Sequence, residues 1–404
     1  MKRVVITGTG AVCALGDTGD AALERLRAGD SAVQIMPAWE GIDGLNTALG
    51  APATHFELPA SYTRRQRRSM GRVAAMSVLS TQRALGDADL ADHEDLKNGT
   101  TGVAFGSSMG SEEAVMELAH LLINSSTSKL NATSYIRMMS HTSPVNIGVL
   151  FAMTGRVIPS CSACTSGSQG IGYAYESIRD GKQKVMVAGG ADELSPGAAA
   201  IFGGAHSADD VAQSPRPYAQ DAGGGVLGEG ACALVLEDAE YAETRGATVL
   251  GEIVGFATNN YARSATTPNQ AELAKCMRLA LTDAELDASA IGYVAGLGLA
   301  RPAADAAECA AMADVFGNRV PMSAMKSYLG HTLAASGALE AWLSLHMMNA
   351  GWFAPTRNLS NVAEGCAGVN HIVGDGHNAD ANYIMCNTFA FGGINTSLVL
   401  RRCP

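Results

Sequence analysis

The stretch from Arg156 to Gly181, RVIPSCSACTSGSQGIGYAYESIRDG, decides the fold. A short apolar run is broken at Pro159, and from Gly170 onward apolar residues recur at helical spacing. This pattern predicts a tight strand-to-helix turn around Cys164, whose small neighbours leave the sulfur accessible. The positive end of the helix dipole favours a thiolate there, which lowers a pKa that is about 8.5 in free cysteine. We therefore expect Cys164 to be a nucleophile.

Other interpretations of the same cysteine stay open on the residues alone. Cys161 and Cys164 form a C-x-x-C pair, which is typical of a redox pair or of half a zinc site. Zinc needs a second pair of ligands at suitable spacing, and none is evident in the sequence. Cys164 could also be a small core residue, as most cysteines in such a chain are.

The composition indicates a globular protein of one large domain or two ordinary ones. The chain has 404 residues, of which 47% are hydrophobic and 17% charged. A net charge of −11 argues against general nucleic-acid binding, because a polyanion would be repelled. Nine cysteines spread along the chain suit a reducing compartment, so we expect a cytoplasmic protein. No apolar stretch in the sequence is long enough to span a membrane.

The N-terminal segment offers a weak nucleotide-binding motif. Lys2–Thr7 is predicted to be a buried strand, and Gly8–Gly10 the turn after it. The stretch GTGAVCALG (Gly8–Gly16) lacks the full G-x-G-x-x-G pattern followed by a clear helix and a ribose-binding acid. The sequence thus gives little support to a dinucleotide site.

Strands and helices alternate along the chain, which predicts an α/β architecture. Two series of elements resemble each other: Cys164 precedes Gly170 by six residues, and His331 precedes Gly337 by six. Each follows a short strand and opens a helix rich in small residues. A duplicated chain would bring the two helix starts together at one site. We expect an N-terminal half at 1–245 and a C-terminal half at 246–404.

Five arginines are clustered near the start of a helix predicted over Tyr62–Ala84. On an acidic protein this local positive patch can attract an acidic partner. A solvated helix face explains the charge equally well. The cluster consists of Arg64, Arg65, Arg67, Arg68 and Arg72.

Taken together, the motifs resemble the β-ketoacyl–acyl carrier protein synthases, condensing enzymes with the thiolase-like fold. The resemblance covers nearly the whole chain and implies two duplicated βαβαβαββ-type halves in a layered αβαβα architecture. The segments that carry it are VVITGTGAVCALG (Val4–Gly16), SACTSGSQGIG (Ser162–Gly172), VAGGADE (Val187–Glu193), MKSYLGHTLAASG (Met325–Gly337), APTRNL (Ala354–Leu359) and NTFAFGGINTSLVL (Asn387–Leu400).

The resemblance also implies a site and its chemistry. Cys164 matches the nucleophile, Lys326 the lysine and His331 the second histidine, while Phe391 matches the acyl-gating phenylalanine and Phe389 lies with it at the acyl tunnel. In the family, the thiolate takes an acyl group from the phosphopantetheine arm of acyl carrier protein. Malonyl-carrier then loses CO₂, and its carbanion attacks the bound thioester. Two histidines normally donate hydrogen bonds to the thioester oxygen.

The same resemblance implies the partners. Acyl carrier protein docks on a basic helix start in the family, which corresponds here to Arg64, Arg65, Arg67 and Arg68. Ketosynthases dimerise, so we expect either a homodimer or a heterodimer with a second ketosynthase subunit. No metal and no tightly bound cofactor is implied, since the carrier's own phosphopantetheine brings the substrate.

The sequence departs from the family pattern at two places. The segment that holds the first histidine, His-Gly-Thr-x-Thr-Pro, corresponds to Leu297–Pro302 (LGLARP), so Leu297 stands at the position of that histidine. Leu299 and Arg301 stand at the two threonines that would contact the pantetheine arm. In the loop Arg216–Gly230, usual acidic, basic and aromatic residues are replaced by Ala219, Ala222, Gly223 and Gly225.

Two hypotheses follow from these departures. The losses favour a chain-length-factor-like subunit, which shapes the acyl tunnel beside a complete synthase in a type II fatty-acid or polyketide-like pathway. The retained Cys164, Lys326, His331 and Phe391 favour a self-sufficient condensing enzyme. In either case we expect a member of an acyltransferase family.

Overall fold

The fold is described from a computed structural model, which covers residues 1–264 and 267–403. The strands within these ranges are β1 Val4–Cys13, β2 Gln34–Ile35, β3 Leu49–Ala51, β4 Thr101–Gly106, β5 Val157–Ser160, β6 Val185–Asp192, β7 Leu227–Gly228, β8 Gly230–Asp238, β9 Gly251–Asn260, β10 Ile291–Ala295, β11 Pro321–Ser323, β12 Trp352–Phe353, β13 Asn370–His371, β14 His377–Asn378, β15 Tyr383–Phe389 and β16 Ile394–Arg401.

The helices alternate with these strands. They are α1 Gly19–Ala28, α2 Arg64–Arg67, α3 Arg72–Asp87, α4 Glu112–Asn124, α5 Ser134–Met138, α6 Thr142–Leu150, α7 Ser166–Arg179, α8 Pro196–Phe202, α9 Ala239–Thr244, α10 Gln270–Asp283, α11 Pro302–Phe316, α12 Lys326–Leu329 and α13 Ser336–Asn349. Short 3₁₀ turns lie at Pro37–Trp39, Glu94–Leu96, Ala208–Asp210, Ala288–Ala290, Leu333–Ala335 and Glu364–Cys366.

The main sheet repeats one strand arrangement in both halves of the chain. The N-terminal half has the order β5-β4-β6-β8-β1, and the C-terminal half has the order β11-β10-β15-β16-β9. In each half the first three strands are mutually parallel and the last two pair antiparallel. The predicted duplication is therefore confirmed. A short antiparallel pairing of β1 with β9 joins the halves, and the limits 1–245 and 246–404 remain a prediction.

Helices cover and separate the two halves of the sheet in layers. α7 and α13 lie in the middle, packed against strands of both halves, with Ile171, Leu339 and Trp342 in the central core. α3 and α6 cover the outer side of the N-terminal half, and α10 and α11 cover that of the C-terminal half. This order is the layered αβαβα arrangement that the family resemblance implies.

The N-terminal segment is a longer strand than predicted. The turn expected at Gly8–Gly10 is wrong, because β1 continues to Cys13 with an irregularity between Ile6 and Gly8. A Cβ atom added at Gly8 would lie 2.3 Å from the Ala84 carbonyl oxygen, so α3 packs directly on this part of the strand. These glycines allow close helix–strand packing and do not form the turn that a dinucleotide site would need.

The basic segment is also divided differently from the prediction. The helix expected over Tyr62–Ala84 is two helices, α2 and α3, separated at Gly71. A Cβ atom at Gly71 would lie 2.3 Å from Ser111 Oγ, so the chain passes close to that residue between the helices. Within the described residues, no helix is long and apolar enough to cross a membrane.

Candidate active site

Cys164 lies in the turn between β5 and α7, two residues before the helix begins. Ala163 has a φ of 52°, in the left-handed region, which makes the turn sharp. Ser166 Oγ closes it by accepting the Ser162 N–H at 2.8 Å and donating to the Ala163 carbonyl at 2.6 Å. Thr165 Oγ1 donates to the Ser162 carbonyl at 2.7 Å. The small hydroxyl residues thus hold the turn by bonding its backbone.

The prediction of an accessible, acidic thiol is wrong. Cys164 is 5% exposed, and its burial raises the pKa of the thiol to about 11. The charge of Lys326 and the backbone N–H groups of Cys164 and Phe391 act in the opposite direction, but desolvation outweighs them. The sulfur is therefore a thiol at neutral pH when the site holds no substrate.

His331 faces Cys164 from the start of the other central helix. Its Nε2 lies 3.1 Å from the Cys164 sulfur, and its Nδ1 accepts the Leu333 N–H at 3.3 Å. Burial, helped by the charges of Lys326 and Arg301, holds the pKa of His331 well below its usual range. The imidazole is thus neutral, and the bond to Nδ1 assigns its proton to Nε2. The Nε2–H of His331 is therefore a hydrogen-bond donor directed at the Cys164 sulfur.

Lys326 is buried in an ion pair that the sequence does not reveal. Its Nζ lies 2.5 Å from Glu340 Oε1, and both side chains are 2% exposed. Ser336 Oγ donates to the same Glu340 oxygen at 3.2 Å. Glu340 is the one acid in α13, which is otherwise largely apolar, and that isolation is the signal that could have identified it.

Leu297 lies in the same cavity as Cys164 and His331. It follows β10 closely, and its backbone N–H donates to Glu308 Oε1 at 2.6 Å. The Gly298 N–H donates to the other Glu308 oxygen at 3.0 Å, so one buried carboxylate fixes this loop. The leucine side chain has no hydrogen-bond donor to offer.

Two voids meet at Cys164. One is lined by Cys164 with Phe389, Phe391 and Leu297. The other is lined by Cys164 with Lys326 and Gly225. The Phe391 ring borders both voids.

The glycine-rich loop packs directly against the segment after Leu297. The Gly224 N–H donates to the Ala300 carbonyl at 3.1 Å. A Cβ atom at Gly225 would lie 3.3 Å from the Leu299 carbonyl oxygen, so a larger side chain there would press on that segment. Ala219 and Ala222 belong to the same loop, and Ala219 is buried.

The predicted carrier-docking arginines are exposed. The short helix α2 carries Arg64, Arg65 and Arg67, and Arg68 follows directly after it. A capping box formed by Thr63 and Gln66 stabilises the start of this helix. Arg72 differs from them, because its guanidinium pairs with the buried carboxylate of Glu229 at 2.5 Å. The basic patch is therefore Arg64, Arg65, Arg67 and Arg68.

Cys161 and Cys164 have separate environments. Cys161 is exposed, with its sulfur 3.5 Å from the Ser108 carbonyl, whereas Cys164 is buried against His331. In the described ranges, no group of three or more His, Cys, Asp or Glu side chains is placed to hold a metal ion.

The repeated strand order and the paired Cys164 and His331 helix starts define a thiolase-like ketosynthase. The β-ketoacyl synthase N-terminal domain matches residues 1–242, and the β-ketoacyl synthase C-terminal domain matches residues 250–360. The chain therefore belongs to the β-ketoacyl synthase family, whose 3-oxoacyl-carrier-protein synthases are acyltransferases.

Similar proteins agree with this assignment. The chain is 30% identical to 3-oxoacyl-[acyl-carrier-protein] synthase 1 of Haemophilus influenzae, over 100% of this chain and 99% of that protein. It is 46% identical to a β-ketoacyl synthase from Burkholderia phymatum STM815, with a TM-score of 0.98 and full coverage of both chains. It is 27% identical to the ishigamide ketosynthase/chain length factor, with a TM-score of 0.87 and full coverage of both.

Proposed function

We propose that this chain is the chain-length-determining subunit of a heterodimeric ketosynthase. In this role it handles acyl chains on acyl carrier protein in a type II fatty-acid or polyketide-like pathway, and it does not condense malonyl-carrier alone. The observation that carries the proposal is Leu297, a side chain without a donor beside Cys164 and His331.

The loss of rate expected from a missing hydrogen-bond donor at Leu297 supports this proposal. Removing one donor to a developing oxyanion typically costs about 10²- to 10³-fold in rate. The backbone N–H of Leu297 cannot replace the missing donor, because Glu308 already accepts it at 2.6 Å. The Lys326 ammonium is likewise engaged by Glu340. Stabilisation of the enolate would rest mainly on His331.

Acyl transfer onto Cys164 needs fewer groups. The sulfur has His331 Nε2 at 3.1 Å, and the backbone N–H groups of Cys164 and Phe391 are directed to it. These N–H groups are available to a thioester oxygen once an acyl group is attached. The site thus supports holding an acyl chain better than decarboxylating malonyl.

Exposed apolar surface supports a partner subunit. β5 is at the end of the main sheet, with Val157 about half exposed. On α4, the side chains of Leu122 and Ile123 are 76% and 77% exposed. Unpaired sheet edges and exposed apolar side chains mark association surfaces. The structural similarity to a ketosynthase/chain length factor is consistent with a paired arrangement.

The basic patch of Arg64, Arg65, Arg67 and Arg68 supports docking of acyl carrier protein. All four side chains are exposed, and none of them has an ion-pair partner among the described residues. An acidic carrier would be attracted to this region of an otherwise acidic protein.

The second candidate is a self-sufficient synthase that performs decarboxylative condensation. It is favoured by the retained Cys164 and His331 at contact distance and by the buried Lys326 ion pair. The two candidates give Leu297 different roles. In the first, the missing donor at Leu297 prevents condensation; in the second, condensation proceeds without that donor.

The substitution Leu297→His tests the proposal. It adds an imidazole donor to the cavity, and we expect malonyl-carrier decarboxylation by the lone chain to rise by about 10²-fold. Leu299→His is the matched control, because Leu299 lines the same cavity and its backbone is held by Asp305 in a similar way. An unchanged rate in folded Leu297→His, or efficient turnover by the unsubstituted chain, would contradict the proposal.

A further inference from the structure

Arg301 lines both voids beside Cys164. It is the residue immediately before α11. Its Nη2 donates to the Phe202 carbonyl at 2.7 Å, and its guanidinium carbon lies 5.8 Å from the centre of the Phe391 ring. These contacts hold the charged group at the cavity wall.

No described residue of the cavity lining is a counterion for Arg301. The described residues that line the two voids include two cations, Arg301 and Lys326, and no carboxylate. Lys326 is paired with Glu340, whereas Arg301 has no ion-pair partner in the described part of the chain. Among those residues, hydrogen bonding of its guanidinium is limited to the Nη2 contact with Phe202. Its other N–H groups remain available to a ligand.

The surroundings of Arg301 favour an anionic ligand over a neutral one. The walls of the voids are mainly apolar and include Leu297, Leu299, Phe389 and Phe391. In such surroundings water competes weakly with a ligand for the hydrogen bonds of a charged group. Neutral His331 adds a donor without adding a second charge. An anionic group in the cavity would therefore find one cation without an ion-pair partner among the described residues, Arg301, and one directed neutral donor, since Glu340 already pairs with Lys326.

We propose that Arg301 recognises the carboxylate of a short dicarboxylic acyl group, such as malonyl, bound as its thioester beside Cys164. A guanidinium binds a carboxylate through charge-assisted and often paired hydrogen bonds, which a neutral acyl group cannot form. The pairing also stabilises the carboxylate as an anion, which disfavours loss of CO₂. The pocket then holds such a group instead of consuming it. This inference relies on the proposed function only for delivery of the thioester by a carrier.

Binding of small thioesters tests the inference without carrier or partner. The Cys164→Ala protein, which cannot be acylated at that position, is titrated by calorimetry with malonyl-pantetheine and with isovaleryl-pantetheine. Isovaleryl has the shape of malonyl but no charge. We expect malonyl to bind about tenfold tighter or more, as a charge-assisted hydrogen bond allows. Equal binding would overturn the inference.

Arg301→Gln in the same background identifies the residue responsible. We expect the preference for malonyl to disappear, and Arg319→Gln, at an exposed arginine outside the cavity, to leave it intact. A preference that survives in folded Arg301→Gln would overturn the assignment.

If Arg301→Gln does not fold, the neutral amide analogue malonamyl-pantetheine gives the same comparison in the Cys164→Ala protein. Equal affinity for the amide and the acid would overturn the inference. Since no carrier is present, failure here leaves the chain-length proposal standing.

Discussion

At the residue scale, burial determines the state of the nucleophile. A thiol with a pKa of about 11 is ionised to roughly one part in 10⁴ at pH 7, in spite of the nearby helix start. His331 cannot relieve this by taking the proton at Nε2, because that nitrogen already carries one. The neutral imidazole therefore serves as a hydrogen-bond donor.

The reactivity of Cys164 should therefore depend steeply on pH. Because its pKa is raised, we expect the rate of alkylation by iodoacetamide to rise about tenfold per pH unit between pH 7 and 10. Mass-spectrometric peptide mapping measures this rate in a Cys161→Ala background, with Cys164→Ala as the blank. A rate that levels off below pH 8 would show that the thiol is acidic.

The sequence indicates which residues form the candidate site, but it does not indicate their electrostatics. Cys164, Lys326 and His331 lie in motifs with characteristic spacing, so the sequence indicates them directly. The pKa of Cys164 depends on how deeply the turn is buried, which local propensity does not encode. Glu340 acquires its role from Lys326, which lies 14 residues away in the chain. Arg301 is held by the Phe202 carbonyl, which lies 99 residues away.

At the element scale, two helix starts meet because small residues let them approach. Cys164 lies two residues before the start of α7, and His331 lies five residues before the start of α13. A Cβ atom added at Gly190 would lie 2.5 Å from the Ala334 carbonyl oxygen and 2.7 Å from Gly167 Cα. The β6 strand, α7 and the turn after His331 thus touch at backbone distance, which sets the separation of the Cys164 and His331 side chains.

A pair of glycine substitutions tests this close contact. Gly190→Ala should lower the free energy of unfolding by about 1–3 kcal/mol, because the added methyl group overpacks the junction. Gly86→Ala is the matched control, since Gly86 lies in α3 with open space around it and should stabilise the protein by about 0.5–1 kcal/mol. Denaturant unfolding measures both changes. Equal effects of the two substitutions would contradict the proposed packing.

Most elements follow the sequence pattern, and the exceptions have a tertiary cause. Strands and helices alternate along the described residues, as the pattern predicts. The N-terminal glycines look like a turn, yet they lie inside β1 because α3 packs on them. The break at Gly71 divides a predicted helix because Ser111 lies against it. Local patterns cannot report contacts with distant segments.

At the scale of the whole molecule, charge and exposed apolar surface are unevenly distributed. The chain has a net charge of −11, while four exposed arginines lie together at α2. The end of the sheet at β5 and the face of α4 expose apolar side chains. These features support two different partners, an acidic carrier and a second ketosynthase subunit.

Charge reversal at α2 should weaken carrier binding. For Arg64→Glu combined with Arg65→Glu we expect roughly five- to tenfold weaker binding of acyl carrier protein at low salt, with a smaller difference at high salt. Lys129→Glu combined with Arg319→Glu makes the same charge change at exposed residues outside the patch and should have little effect. Equal losses in the two double variants would mean that net charge, not this patch, attracts the carrier.

The most direct test of the central claim follows the purified chain alone with acyl- and malonyl-loaded carrier protein. Intact-mass spectrometry detects the protein and carrier species, with Cys164→Ala as the control. We expect no β-ketoacyl product from the lone chain, whether or not Cys164 becomes acylated, and product only after a complete ketosynthase partner is added. Efficient formation of β-ketoacyl-carrier by the lone chain would contradict it and make Leu297 compatible with condensation.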